Sequence, residues 1–264
     1  MRRLLAIYPT LLRVGFASAL AYRAELLVWM LTTNLPLINL ALWSAVAREA
    51  PVHGYGTPEF VAYYLSTQVV RLVTSAWVVW EMTTDVRQGV MAMRLLRPVH
   101  PLLDYSAENL AAVPLRAMLA LPIAVILVVL ESAHLSHDPF TWACVPLLIA
   151  GGWAMTFLVM SIVGTLAFFV ESAGSVFELW LGLYAVFSGY MVPLAFFPHW
   201  LRVVADVLPF RLLLGVQVQA MLGQLSHADI ARAFALQALW IAGLFVAVRL
   251  LWNAGVRRYA AYGG

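Results

Sequence analysis

The chain has 264 residues, 63% of them hydrophobic and only 11% charged, with a mean hydropathy of +0.87. A soluble domain carries about 25% charged residues, so this composition excludes one and marks a polytopic, all-α membrane protein. The net charge of +3 comes from arginine alone. Most of those arginines sit at the edges of apolar runs, which argues against a nucleic-acid footprint, and the single Cys144 excludes an intrachain disulfide and a multi-cysteine metal site.

In chain order, residues 1–23 read as an interfacial amphipathic helix. Arg13 interrupts the apolar stretch Leu4–Leu20, which argues against a signal peptide and places Arg13 and Arg23 at headgroup level. A first span is predicted over 24–46, close to the roughly 20 residues needed to cross about 30 Å of hydrocarbon, with a packed kink at Asn34, Pro36 and Asn39. A short loop rich in Gly and Pro leads into a second span over 60–81. Arg71 falls near its middle, where an arginine costs about 2.5–3.5 kcal/mol, so it must face protein or water unless it snorkels. Tyr64, Gln68, Arg71 and Ser75, with Thr67 and Thr74, share one helical face and are predicted to line a translocation path or a dimer interface.

Residues 82–109 are the longest polar interlude. Arg87, Arg94 and Arg97 supply charge, Met91, Met93, Leu95 and Leu96 an apolar stripe, and Pro98 and Pro101 stop a helix, which together predict a short amphipathic helix on the cytosolic side. Spans follow over 110–130, which includes Pro114, Arg116 and Pro122, and over 142–170. Between them, His134, His137 and Asp138 lie in a compact outer loop and read as bystanders, because three such residues without supporting partners do not make a metal site. A tight inner turn at 171–178 leads to a fifth span over 176–192. Pro193, Pro198 and Pro209 then cut residues 193–230 into pieces too short to cross a bilayer, predicting two outer re-entrant or interfacial helices, over 198–208 and 209–225, with Phe196, Phe197 and Trp200 in the aromatic belt. A sixth span covers 231–252.

Counting arginines places both termini in the cytosol, since the inner segments collect Arg2, Arg3, Arg13, Arg23, Arg87, Arg94, Arg97, Arg249, Arg257 and Arg258. No internal repeat supports an inverted-repeat transporter. No Gly-x-x-x-x-Gly-Lys-Ser/Thr phosphate loop is present, and no metalloprotease or serine-hydrolase motif points to an intramembrane enzyme.

This order of parts resembles the membrane subunits of type-2 ATP-binding-cassette exporters. The resemblance is carried by Arg87-Gln-Gly89 with Leu95-Leu96-Arg97-Pro98, by Ser188-Gly189 with Pro193, Phe196-Phe197-Pro198 and Leu208-Pro209-Phe210, and by Arg257-Arg258-Tyr259 with Gly263-Gly264. It is closest in kind to a bacterial six-span branch of that family. The resemblance implies a permease in the inner membrane that pairs with a second copy or a paralogue, with membrane lipids around it and separate ATPase subunits beneath. This chain would bind no cofactor, ATP and Mg²⁺ residing on the partner. Arg87, Gly89, Met91, Arg94, Leu95, Arg97 and Pro98 would couple to the ATPase, and Gly189, Pro193, Phe196, Phe197 and Trp200 would form an outer gate. The apolar interior suggests an amphipathic or hydrophobic export substrate. An ATP-independent channel or secondary carrier is the alternative.

Overall fold

Apolar runs of this length in a chain without long polar linkers can satisfy their own backbone only as helices, and among the described residues there is no β-strand. The computed structural model describes residues 2–24, 28, 34–170 and 173–262. Most of the first half of the predicted first span (25–27 and 29–33), Glu171 and Ser172 of the inner turn, Met1 and the terminal Gly263-Gly264 lie outside the described residues.

The helices are α1 (Arg2–Ala21), α2 (Leu35–Ala47), α3 (Thr57–Thr74), α4 (Val78–Arg87), α5 (Val90–Leu95), α6 (Pro101–Ala111), α7 (Val113–Glu131), α8 (Pro139–Thr165), α9 (Ala173–Phe187), α10 (His199–Val207), α11 (Phe210–Leu213), α12 (Gly215–Met221) and α13 (His227–Tyr262). Among the described residues three stretches are long and apolar enough to cross a membrane: Pro101–His134, Pro139–Phe168 and His227–Tyr259. The α2 and α9 helices are shorter apolar segments.

Local chemistry sets several of these boundaries. Asp138 caps α8 by accepting from the backbone N–H groups of Phe140 and Thr141, with Pro139 in the first turn. His100 caps α6 in the same way, ahead of Pro101. The predicted second span is not one helix: α3 ends at Thr74, Ser75 is extended (φ −64°, ψ 145°), and α4 starts at Val78. Side chains from distant helices stabilise this break. Asn109 accepts the freed Trp77 N–H at 2.8 Å, and the Arg116 guanidinium donates to the Ser75 carbonyl.

The core lies around α8, which packs against α13, α4 and α12, while α3 packs against α2 and α7. Residues 210–221 turn inward. Leu213, Leu214, Val216, Gln217 and Val218 are all buried, and the chain kinks at Leu214 (φ −146°, ψ −52°). That kink interrupts the helical ladder around the Leu212 carbonyl, which accepts instead from Gln217 at 2.9 Å and Gln237 at 3.0 Å; the same two amides donate to the Leu148 carbonyl. Gln217→Leu is expected to lower stability by about 1–2 kcal/mol, and the Gln217→Leu, Gln237→Leu pair by more than the sum, since the second change leaves the carbonyl without a side-chain donor. Thermal unfolding of the detergent-purified variants measures both. By contrast α10 turns Trp200, Val203, Val204 and Val207 outward and buries Ala205, the pattern of a helix lying in an interface. Met118, Leu121, Val125 and Val129 on α7, with Leu239, Val246 and Leu250 on α13, are exposed apolar faces suited to lipid.

Candidate functional site

The polar interlude folds as three short helices and not one. α4 ends at Arg87, Gly89 turns the chain in the left-handed region (φ 75°), and α5 follows. Arg94 stands at the centre. Its Nε lies 2.7 Å from Asp85, its Nη1 2.8 Å from Asp104 and 3.2 Å from Glu108, and its guanidinium sits 4.3 Å from the centre of the Tyr105 ring. Tyr105 in turn donates to Asp85 at 2.5 Å. Burial opposes the charge on Arg94, yet Glu108, Tyr105 and Asp85 together push its pKa above the ordinary value. Burial also holds the Glu108 carboxyl above the usual carboxylate range, against the pull of Arg94. The result is one arginine tying α4, α5 and α6 into a single rigid unit.

Of the residues expected to face a partner, Met91 is fully buried against this unit, Leu95 is half-buried, and Arg94 is 15% exposed with its partners inside the chain. Arg87, Gly89, Arg97 and Pro98 are exposed. Arg97 also reaches Asp104 at 3.1 Å while remaining 60% exposed. The apolar surface that faces outward is made by Val90, Met93 at 65% exposure and Leu96 at 80%. Asp85, Asp104, Tyr105 and Glu108 were not among the expected site residues. The spacing of Asp104 and Glu108, one helical turn apart just beyond three arginines, is the signal that points to them.

The Arg71 face is filled by the chain itself. Tyr64, Gln68 and Ser75 are buried. Tyr64 donates to the Met191 carbonyl at 2.8 Å, Gln68 to the Asn34 side chain at 3.0 Å, and Arg71 lies 5.8 Å from the centre of the Tyr190 ring. The Arg71 Nε is buried without a partner beside a cavity of about 40 Å³ that also touches Thr74, Thr156 and Trp180. From there the Ser75 carbonyl leads to Arg116, and the Trp77 N–H to Asn109, which donates to Glu81 at 3.0 Å. Polar groups therefore run along α3 from the 189–191 turn to the base of α4.

At the other end, Gly189 adopts φ 87° and its carbonyl accepts from the Tyr63 hydroxyl at 2.6 Å, while Asn39 donates to Met191 at 3.2 Å. Pro193 is buried. Phe196 packs its ring 5.8 Å from Trp43, 5.2 Å from Tyr55 and 5.9 Å from Phe60. Phe197 packs edge-on to Phe187 at 6.4 Å, and Trp200 is 68% exposed. Tyr63 has no mark in the sequence beyond its place in an apolar helix, while Asn39, expected only at a packed kink, donates instead to the 189–191 turn. In the neighbouring loop Asp138 receives His227 at 2.8 Å, and His134 lies between Glu131 at 3.0 Å and Glu59 at 3.3 Å, so this group ties helix ends together. Among the described residues no group of three or more His, Cys, Asp or Glu could hold a metal ion.

The model of a family described as "ABC-2 family transporter protein" matches residues 28–263. No curated protein and no solved structure matches the chain.

Proposed function

We propose, since the chain belongs to the ABC-2 family of transporter proteins, that it is a permease subunit driven by ATPases carried on separate chains. In this reading it pairs with a second copy or a paralogue, keeps both termini in the cytosol of a bacterial inner membrane, and exports an amphipathic or hydrophobic substrate. ATP and Mg²⁺ belong to the partner, and this chain binds neither.

The observation that carries the reading is the contrast within the polar interlude. Arg94 and its three carboxylates hold α4, α5 and α6 together, while Met93 and Leu96 turn outward with Arg97, and Arg87 is exposed at the end of α4. Met93, Leu96 and Arg97 stand at i, i+3 and i+4, so they share one face of α5 and its C-terminal turn. An apolar pair rimmed by arginines, outside the predicted spans, fits a groove with acidic walls on an ATPase. Because the unit beneath is rigid, a displacement of that face is transmitted to α4 and α7 rather than absorbed by the loop. The polar groups along α3 give the displacement a path to the 189–191 turn and the Phe196 cluster, the proposed outer gate.

Met93→Asp with Leu96→Asp is expected to reduce co-purification of the cognate ATPase by more than about tenfold, a charge on each apolar anchor costing at least about 1.4 kcal/mol of docking. Arg97→Glu should weaken it further. Undiminished co-purification would remove this docking face, and substrate movement under an ion gradient with no ATPase would move the protein to the carrier class.

A further inference from the structure

Gly15 brings α1 against α6: a Cβ there would stand 3.1 Å from the Ala111 Cβ and 3.1 Å from the Glu108 Cα. The Tyr8 hydroxyl reaches Ser106 at 3.2 Å along the same crossing. Past Gly15 the two helices leave a cleft of about 510 Å³, roofed by the last turns of α1 and floored by the break between α3 and α4. Its walls are mainly apolar, with Trp77 within and Trp80 and Tyr22 at the rim, 47% and 66% exposed.

Two kinds of charge meet in this cleft. Arg116 is 2% exposed, spends Nη1 on the Ser75 carbonyl, and keeps its Nε buried without a partner. A guanidinium has five N–H donors, and a buried one left partly unpaired favours an anionic acceptor. Glu81, one oxygen of which accepts from Asn109, and Glu108, one oxygen of which is paired to Arg94, line the same cleft, and each carboxylate has a second oxygen to offer. A purely anionic head would satisfy Arg116 and be repelled by the carboxylates, while a purely cationic one would do the reverse. A head carrying both a phosphate and a protonated amine answers both, and Trp80 and Tyr22 at the rim suit acyl chains leaving toward the bilayer.

We propose that this cleft holds one phospholipid of the cytoplasmic leaflet whose head carries a phosphate and a protonated amine, phosphate to Arg116 and amine to Glu81 and Glu108. The leaflet assignment rests on the cytosolic orientation proposed above. The contacts themselves do not. Bound there, the lipid bridges α1, α4 and α7 at the base of the coupling unit, so the lipid composition of the membrane bears on how firmly that unit is seated.

The test uses the full chain alone, purified in detergent, delipidated and offered dioleoyl phosphatidylethanolamine, dioleoyl phosphatidylglycerol or tail-free glycerophosphoethanolamine, with bound molecules counted by native mass spectrometry. One phosphatidylethanolamine per chain is expected at concentrations where the other two are not retained. Arg116→Gln should weaken retention about tenfold or more, the loss of charged hydrogen bonds to one phosphate, and Arg116→Lys should lie between. Ser18→Trp fills the cleft from an exposed position on α1 and should also abolish retention; it decides the matter if Arg116→Gln does not fold. Equal retention of phosphatidylglycerol, binding of the tail-free head at the same concentration, or unchanged retention in Ser18→Trp overturns the proposal. No ATPase enters the measurement, so a chain that keeps this lipid yet fails to capture its ATPase counts against the docking face and not the cleft.

Discussion

Arg94→Ala should destabilise the folded chain by about 3–5 kcal/mol, the loss typical when one member of a buried ion cluster is removed, and should abolish capture of the ATPase. The size follows from the count of partners. Asp85, Asp104 and Glu108 all converge on one guanidinium between 2.7 and 3.2 Å, and its side chain is only 15% exposed. Without it three carboxylates face one another in a partly desolvated site. Arg94→Lys keeps the charge, but a single ammonium cannot match that fork, so an intermediate loss is expected. The pH dependence separates this mechanism from simple loss of packing. Glu108 already sits above the ordinary carboxylate range, chiefly through burial, and Arg94 is what pulls it back. Deleting Arg94 raises it further. A carboxyl whose folded pKa exceeds its unfolded one stabilises the fold when protonated, and that contribution is lost as pH rises through the folded value. Arg94→Ala should therefore regain stability relative to wild type as the pH falls from mildly alkaline to acid. A gap between the two that stays constant across that range would show that the carboxylates are not the cause.

The arginines of the interlude are plain in the sequence, but their partners are not, and the reason is geometric. Periodicity reports which residues share a face of one helix, so the stripe of Tyr64, Gln68, Arg71 and Ser75 could be drawn from spacing alone. It does not report what a second helix brings to that face. By spacing alone Arg94 is a charge awaiting an external partner, whereas in the fold α6 sets Asp104 and Glu108 against it. The break at Ser75 is hidden for the same reason: no proline or glycine interrupts the run from Val69 to Trp80, and the groups that satisfy the opened backbone, Asn109 and Arg116, come from 32 and 41 residues away. Prolines were surer guides, since Pro193, Pro198 and Pro209 act on their own backbone whatever surrounds them. The kink at Leu214 carries no proline, and nothing local announced it. Its partners, Gln217 and Gln237, are two amides in apolar surroundings. Buried amides of that kind are what an interrupted helix requires, but only the fold reveals which carbonyl they serve.

Gly189→Val is expected to cost about 2–5 kcal/mol, combining a β-branched residue at positive φ with a lost buried hydrogen bond. At φ 87° the backbone suits glycine, and a Cβ would stand 2.6 Å from the Tyr63 hydroxyl. That hydroxyl cannot easily give way. Tyr63 is 3% exposed, packs its ring 5.2 Å from Tyr64, and donates to the carbonyl of Gly189 itself at 2.6 Å. Tyr63→Phe alone should cost about 1–2 kcal/mol and relieve part of the clash, so Gly189→Val should cost at least about 0.5 kcal/mol less in the Tyr63→Phe background than in the wild type. Strict additivity would mean that the two groups do not meet as described. The functional consequence separates this end of the molecule from the other. The 189–191 turn also anchors Tyr64 and Asn39 through the Met191 carbonyl, next to the Phe196 cluster, whereas the carboxylates that hold Arg94, Asp85, Asp104 and Glu108, belong to α4 and α6. Gly189→Val protein that folds at reduced temperature should still capture its ATPase and hydrolyse ATP with it, while moving substrate poorly or leaking it. Loss of ATPase capture in that variant would mean that the turn and the Arg94 unit are not separable, and the proposed division of labour between an inner lever and an outer gate would have to be given up.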